Sequence, residues 1–233
     1  MPTTLLVFLA AAVLTALPAR AVAEDAATST CFGNPAHGRI EGAVALPARG
    51  NNFEPYAQRG VELGRTWVHA SVRDIVVDAY RALETGQPGT TFVYGETGLQ
   101  TGGPMPPHRT HQAGVSVDFM VPVRGPDGRP ATLPRSAAQR FGYGLEFDSA
   151  GRWHGYRIDF AALADHLRLL DHYARARGAR IGRVILDPPF VRKLHGTPAW
   201  PWIAALPFMK ARPWIRHDEH YHVDFVLPCA PLR

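Results

Sequence analysis

Two short histidine-rich stretches, far apart in the chain, constrain its folding more than any other feature: His108-Arg109-Thr110-His111-Gln112-Ala113-Gly114-Val115-Ser116-Val117-Asp118 and His217-Asp218-Glu219-His220-Tyr221-His222. They hold five of the eleven histidines. Imidazole nitrogens in such numbers, joined by a carboxylate and with no cysteine nearby, suit a borderline-soft divalent cation, above all zinc. Alternate residues of a strand face the same way about 6.6 Å apart, so His220, His222 and Asp224 share one face. Tyr221, Val223 and Phe225 take the other and read as core, which turns the histidines outward. Asp118 likewise stands with Ser116 opposite Val115, Val117 and Phe119, on a strand entered from the loop that carries His108 and His111. Two adjacent strands can then present three ligands to one cleft, leaving a fourth zinc position open as catalytic sites do.

Around these stretches helix and strand signals alternate without a βαβ repeat. Val68, Val72, Ile75, Val76, Ala79 and Leu83 recur at helical spacing, with Gly86 as the stop; a second amphipathic helix carries Leu163, Leu167, Leu170 and Tyr173 and ends at Gly178. Strands are expected over residues 90–94, 115–121, 181–186 and 221–227, and a short helix over 189–194. Glycines and prolines from Gly95 to Pro107 make a long loop, and residues 124–134 read as a Gly/Pro-rich surface excursion that bears on whether the cleft is gated. The fold class is α+β: a central antiparallel sheet with flanking helices and a zinc cleft on one sheet face.

The first residues are a separate matter. Leu5 to Leu17 is almost purely apolar and is followed by Pro18 and small residues ending Ala21-Val22-Ala23, which predicts a cleavable secretory signal peptide over residues 1–23, with cleavage after Ala21 as the alternative. The apolar run is too short for a membrane anchor, and no later segment is expected to be transmembrane. Residues 24–233 then form a single exported domain. The two cysteines, Cys31 and Cys229, are expected to form one disulfide tying the two ends of that domain together. A net charge of +5 fits nucleic acid, an anionic membrane surface or an acidic polymer as partner, but no basic run with interleaved aromatics points to nucleic acid. Oligomeric state is left open. Neither G-x-S-x-G, S-x-x-K nor H-E-x-x-H occurs, which leaves serine chemistry without its usual signatures.

The spacing His111-x-x-Gly114-x-x-x-Asp118, followed much later by His220-x-His222, resembles the zinc signature of the lysostaphin, D-Ala-D-Ala metallopeptidase and hedgehog group. His108-x-x-His111 upstream, with Arg212-Pro213-Trp214 before His217-x-x-His220-x-His222, is closer still to the penicillin-insensitive murein endopeptidase family. Gly95-Glu96-Thr97-Gly98, Gly102-Gly103 and Arg183-Val184-Ile185-Leu186-Asp187-Pro188 add to the similarity, which covers the chain from Cys31 to Cys229. The resemblance implies a periplasmic zinc metallopeptidase cleaving D-alanyl-diaminopimelyl cross-links of peptidoglycan. It implies His111, Asp118 and His222 as zinc ligands and His220 as the histidine that moves protons, with His217 and His108 lining the site as supporting catalytic groups.

Two positions depart from that pattern. Glu219, three residues before His222, resembles the catalytic glutamate of the dipeptidase and carboxypeptidase branch, although strand alternation puts it on the face opposite His220. Asp224 stands where the family carries a basic residue, and reads either as a carboxylate partner of a histidine or as a surface acid. The rival readings are therefore a D,D-carboxypeptidase or dipeptidase acting on terminal D-Ala, and a non-catalytic zinc module that binds cell wall or a protein. His37, His69, His154, His166, His172 and His195 lack paired spacing and are read as ordinary solvated or hydrogen-bonded side chains.

Overall fold

The computed structural model describes Met1 and residues 28–211 and 213–232. The signal peptide expected over residues 1–23 lies, Met1 apart, outside the described residues. Among the described residues no helix is long and apolar enough to cross a membrane.

The architecture is α+β, as the alternating signals predict. Five strands form the main sheet in the order Arg180–Ile185, His220–Val226, Ser116–Met120, Phe92–Tyr94, Phe53–Pro55. The first three junctions are antiparallel, but Phe53–Pro55 runs parallel to Phe92–Tyr94, so the sheet is mixed rather than wholly antiparallel. That edge strand is too short to carry a period-2 signal, and the strand expected over 90–94 is trimmed to Phe92–Tyr94.

Helices Ala70–Gly86 and Phe160–Ala176 pack on one another, and Phe160–Ala176 also packs against Arg180–Ile185. Their faces are those the spacing predicts: Val72, Ile75, Val76, Ala79 and Leu83 from the first, Leu163, Leu167 and Leu170 from the second, all buried. His69 caps the first helix, its Nδ1 accepting the Ser71 N–H at 3.1 Å, and Asp159 caps the second by accepting from Ala162. Tyr221, Val223 and Phe225 join Val117 and Phe119 in the same core cluster. One face of the sheet is thereby buried, which leaves the other for the polar residues of the same strands.

Residues 124–134 are not a bare loop. Val123–Arg124 pairs with Pro130–Ala131 and with Tyr156–Ile158 in a separate four-stranded sheet, Leu133 is buried in the core, and none of residues 124–134 lines the histidine-rich cleft. At the other end of the domain, hairpin Thr30–Asn34/His37–Glu41 is tied to the C-terminal segment by the Cys31–Cys229 disulfide, as the cysteine count predicts. Cys31 packs there with Ala113 and Val115. The hairpin turn also accepts the Gln112 N–H at the Pro35 carbonyl, so it buttresses the loop that carries His111.

Candidate metal centre

The two histidine-rich stretches meet because their strands are neighbours. His222 pairs directly with Asp118, and Asp224 with Ser116. With Tyr221 and Val223 committed to the core, His220, His222 and Asp118 open into one cleft of about 640 Å³. His108 and His217 line the same cleft. All six residues singled out by spacing are therefore brought together, since His111 lies directly behind His108 and Asp118.

The loop carrying His108 and His111 is held in a conformation that costs energy. His111 adopts φ 71°, a left-handed backbone that a non-glycine residue rarely takes. Gly114 follows at φ 69°, where a Cβ would lie 2.5 Å from Ile40 Cδ1 and 3.2 Å from the His69 N, so glycine suits both the left-handed backbone and the close approach on the way to Asp118. The Gly95-Glu96-Thr97-Gly98 segment runs beneath it. A Cβ on Gly95 would meet the Tyr143 hydroxyl at 2.3 Å and Asp118 Cβ at 2.9 Å, and the Thr97 carbonyl accepts the His111 Nδ1–H at 3.0 Å. That bond leaves the lone pair of His111 Nε2 pointing inward, 3.3 Å from Asp118 Oδ1 and with no hydrogen-bond partner of its own.

An orphaned nitrogen lone pair beside a buried carboxylate is what a cation site requires. Three residues, His108, His111 and Asp118, offer ligand atoms all within 4.8 Å of one another. His222 adds Nδ1 at 2.9 Å from Asp118 Oδ1, while its Nε2 bonds Asp224 Oδ1 at 2.7 Å. Burial drives the His111 imidazole towards neutrality. Burial also opposes the charge on Asp118, but contacts with His111 and His222 outweigh it and hold this carboxyl well below the ordinary range. His222 is pushed up to about 10 against its burial because Asp224 and Asp118 flank it. Asp118 and Asp224 thus favour a positive charge between them, which a proton on His222 or a metal ion can supply. The donor set of imidazole and carboxylate fits zinc.

Several residues hold this arrangement. Asp224 is not a surface acid: it is buried, accepts from Ser116 Oγ at 2.6 Å and Arg183 Nε at 2.7 Å, and orients His222. Glu96 is buried and bonds His108 Nε2, the Arg65 guanidinium and the Tyr56 hydroxyl, which turns His108 Nδ1 towards Asp118 Oδ2 at 3.7 Å. The Tyr143 hydroxyl accepts the Glu96 N–H at 2.8 Å and donates to Asp118 Oδ2 at 3.2 Å, and its ring lies 4.8 Å from that of His220. Glu219 does not line the cleft; its Oε1 lies 2.9 Å from His220 Nδ1. Burial pushes His220 down to about 4 and His217 down to about 3, so both rings are neutral at pH 7. His217 gives its Nδ1–H to the Ile215 carbonyl at 2.9 Å. Sequence reasoning noticed Glu96 only as part of a glycine motif and missed Tyr143, which stands just past an irregular turn and carries no periodic signal.

The Glu96 cluster has a measurable consequence. Burial works against its charge, but the bonds from His108 and Arg65 hold the carboxyl down at about 2, against 4.5 ordinarily. A depressed acid stabilises the fold fully above its unfolded value and loses that contribution as pH falls through the folded one. In metal-free protein, Glu96→Gln is therefore expected to cost about 3 kcal/mol at neutral pH, and the gap from wild type should close as pH falls from about 4.5 to about 2. Urea unfolding across that range measures it; a gap that does not change with pH would refute the assignment.

Two comparisons bear on what such a site belongs to. No curated protein gives a significant match to this chain. The family model described as penicillin-insensitive murein endopeptidase matches residues 31–231, which span the hairpin, the buttressed loop, the metal centre and the disulfide. The chain therefore belongs to the penicillin-insensitive murein endopeptidases, a family of peptidases that act on peptidoglycan.

Proposed function

We propose that the protein is a zinc metallopeptidase, exported to the periplasm by a cleavable signal peptide, whose single domain over residues 24–233 hydrolyses D-alanyl-diaminopimelyl cross-links of peptidoglycan. His111, Asp118 and His222 hold the zinc, with His108 poised beside them. What zinc supplies when bound is Lewis acidity, which polarises the scissile carbonyl and activates water for attack. What carries the catalytic reading is His220: a neutral imidazole in the cleft whose Nδ1 lies 2.9 Å from Glu219 Oε1, a carboxyl group that burial pushes up to about 8. When Glu219 is ionised it accepts the Nδ1–H, which makes Nε2 the basic atom; Nε2 then takes the proton of the attacking water and returns it to the leaving amine. Glu219 thus positions the base and stabilises its charged form rather than acting as the base itself. His108, held by Glu96, is the better placed of the two supporting histidines to steady developing negative charge. The ring of His217 packs 4.5 Å from that of His220, and its Nε2 is left as an acceptor.

Mass spectrometry of products from purified cross-linked muropeptides, with and without chelator, tests this. Chelator-sensitive splitting of dimers into monomers is the expected result. Loss of one alanine from monomers would indicate the carboxypeptidase, and bound zinc without any cleavage the binding module.

A further inference from the structure

Among the described residues five arginines line the cleft, against two carboxylates, Glu96 and Asp118, both already engaged. Arg65 is paired with Glu96 and Arg183 with Asp224, while Arg109 lies over the Trp214 ring at 4.9 Å and Arg59 sits 3.6 Å from Glu62. Arg140 has no ion-pair partner among the described residues, and it is exposed to solvent.

Its backbone is contorted to put it there. Arg140 and Phe141 adopt φ 50° and 57° in succession, inside the short helical turn Ala137–Gly142. Two consecutive left-handed non-glycine residues cost of order 1 kcal/mol each, and such strain gathers at functional sites. Phe141 anchors the turn edge-on against Tyr56 at 6.5 Å, which leaves Arg140 to the cleft. The turn continues into Tyr143, which touches Asp118 and packs against His220. Arg140 and His220 thus line the same cleft, with Tyr143, three residues along from Arg140, packed against the His220 ring.

We infer that Arg140 is a specificity-determining residue that binds a free carboxylate on the amine side of the scissile bond. The inference rests on the endopeptidase reading and deepens it. In a D-alanyl-diaminopimelyl cross-link the carbon bearing the scissile nitrogen also bears a carboxylate, so the cleft selects that anion and rejects its neutral amide.

The test uses two cross-linked muropeptide dimers that differ only in whether this carboxylate is free or amidated, and compares kcat/KM for the mature zinc-loaded protein. Wild type is expected to favour the free acid by roughly 10- to 100-fold, the range of a charge-assisted hydrogen bond. Arg140→Met should bring the ratio of the two substrates close to one, and Arg140→Lys should restore part of the preference. Equal rates on both dimers by wild type, or an Arg140→Met ratio unchanged from wild type, would overturn the inference and leave the endopeptidase reading standing. Cleavage of neither dimer would overturn both.

Discussion

Replacing His111 by alanine is expected to raise the apparent zinc Kd by roughly 10²- to 10³-fold, since total binding of about 10–16 kcal/mol is shared among three or four ligands. Within the centre, His111 Nε2 is a buried nitrogen with no hydrogen-bond partner, and its Nδ1–H is held by the Thr97 carbonyl. His222→Ala should lose metal to a similar degree and also leave Asp224 without one of its partners. His108→Ala is expected to cost less, about 10- to 100-fold, because His108 sits farther from Asp118 and depends on Glu96 for its orientation. Competition with a chromophoric chelator measures all three without recourse to activity. Full zinc affinity in His111→Ala would show that the ion is held elsewhere.

His220→Ala is expected to separate binding from turnover: zinc stoichiometry retained, kcat reduced by roughly 10²- to 10⁴-fold, the usual contribution of a positioned base. Glu219→Gln should reduce kcat less, because the amide oxygen still accepts the His220 Nδ1–H but no longer stabilises a charged imidazole. Zinc content by atomic emission, with turnover on cross-linked muropeptides, gives both readings. Loss of zinc in His220→Ala would make that residue a ligand; a Glu219→Gln enzyme less active than His220→Ala would return the role of base to Glu219.

Much of the site was legible because the relevant geometry is local. Strand period assigned Tyr221, Val223 and Phe225 to the core and His220 and His222 to the cleft, and it paired Asp118 with Ser116 on the open face. The same logic kept Glu219 out of the cleft, which it does not line, but did not foretell the turn of its side chain back to the Nδ1 of its neighbour. The sheet was read as antiparallel throughout because its parallel edge, Phe53–Pro55, has three residues and no pattern to read.

The amino-acid sequence by itself determined the donor types, the faces they occupy and the expected disulfide, because these follow from residue chemistry and from a period of two along a strand. Only the tertiary structure decided what each donor leans on. Glu96 reaches His108 from the neighbouring loop, Asp224 reaches His222 two residues along the same strand face, and Tyr143 bridges Glu96 to Asp118 from an irregular turn. Contacts of that kind depend on rotamers and on loops brought together by the sheet. No spacing along the chain encodes them, and they are what turn a group of histidines into a centre with an orphaned lone pair beside a buried carboxylate.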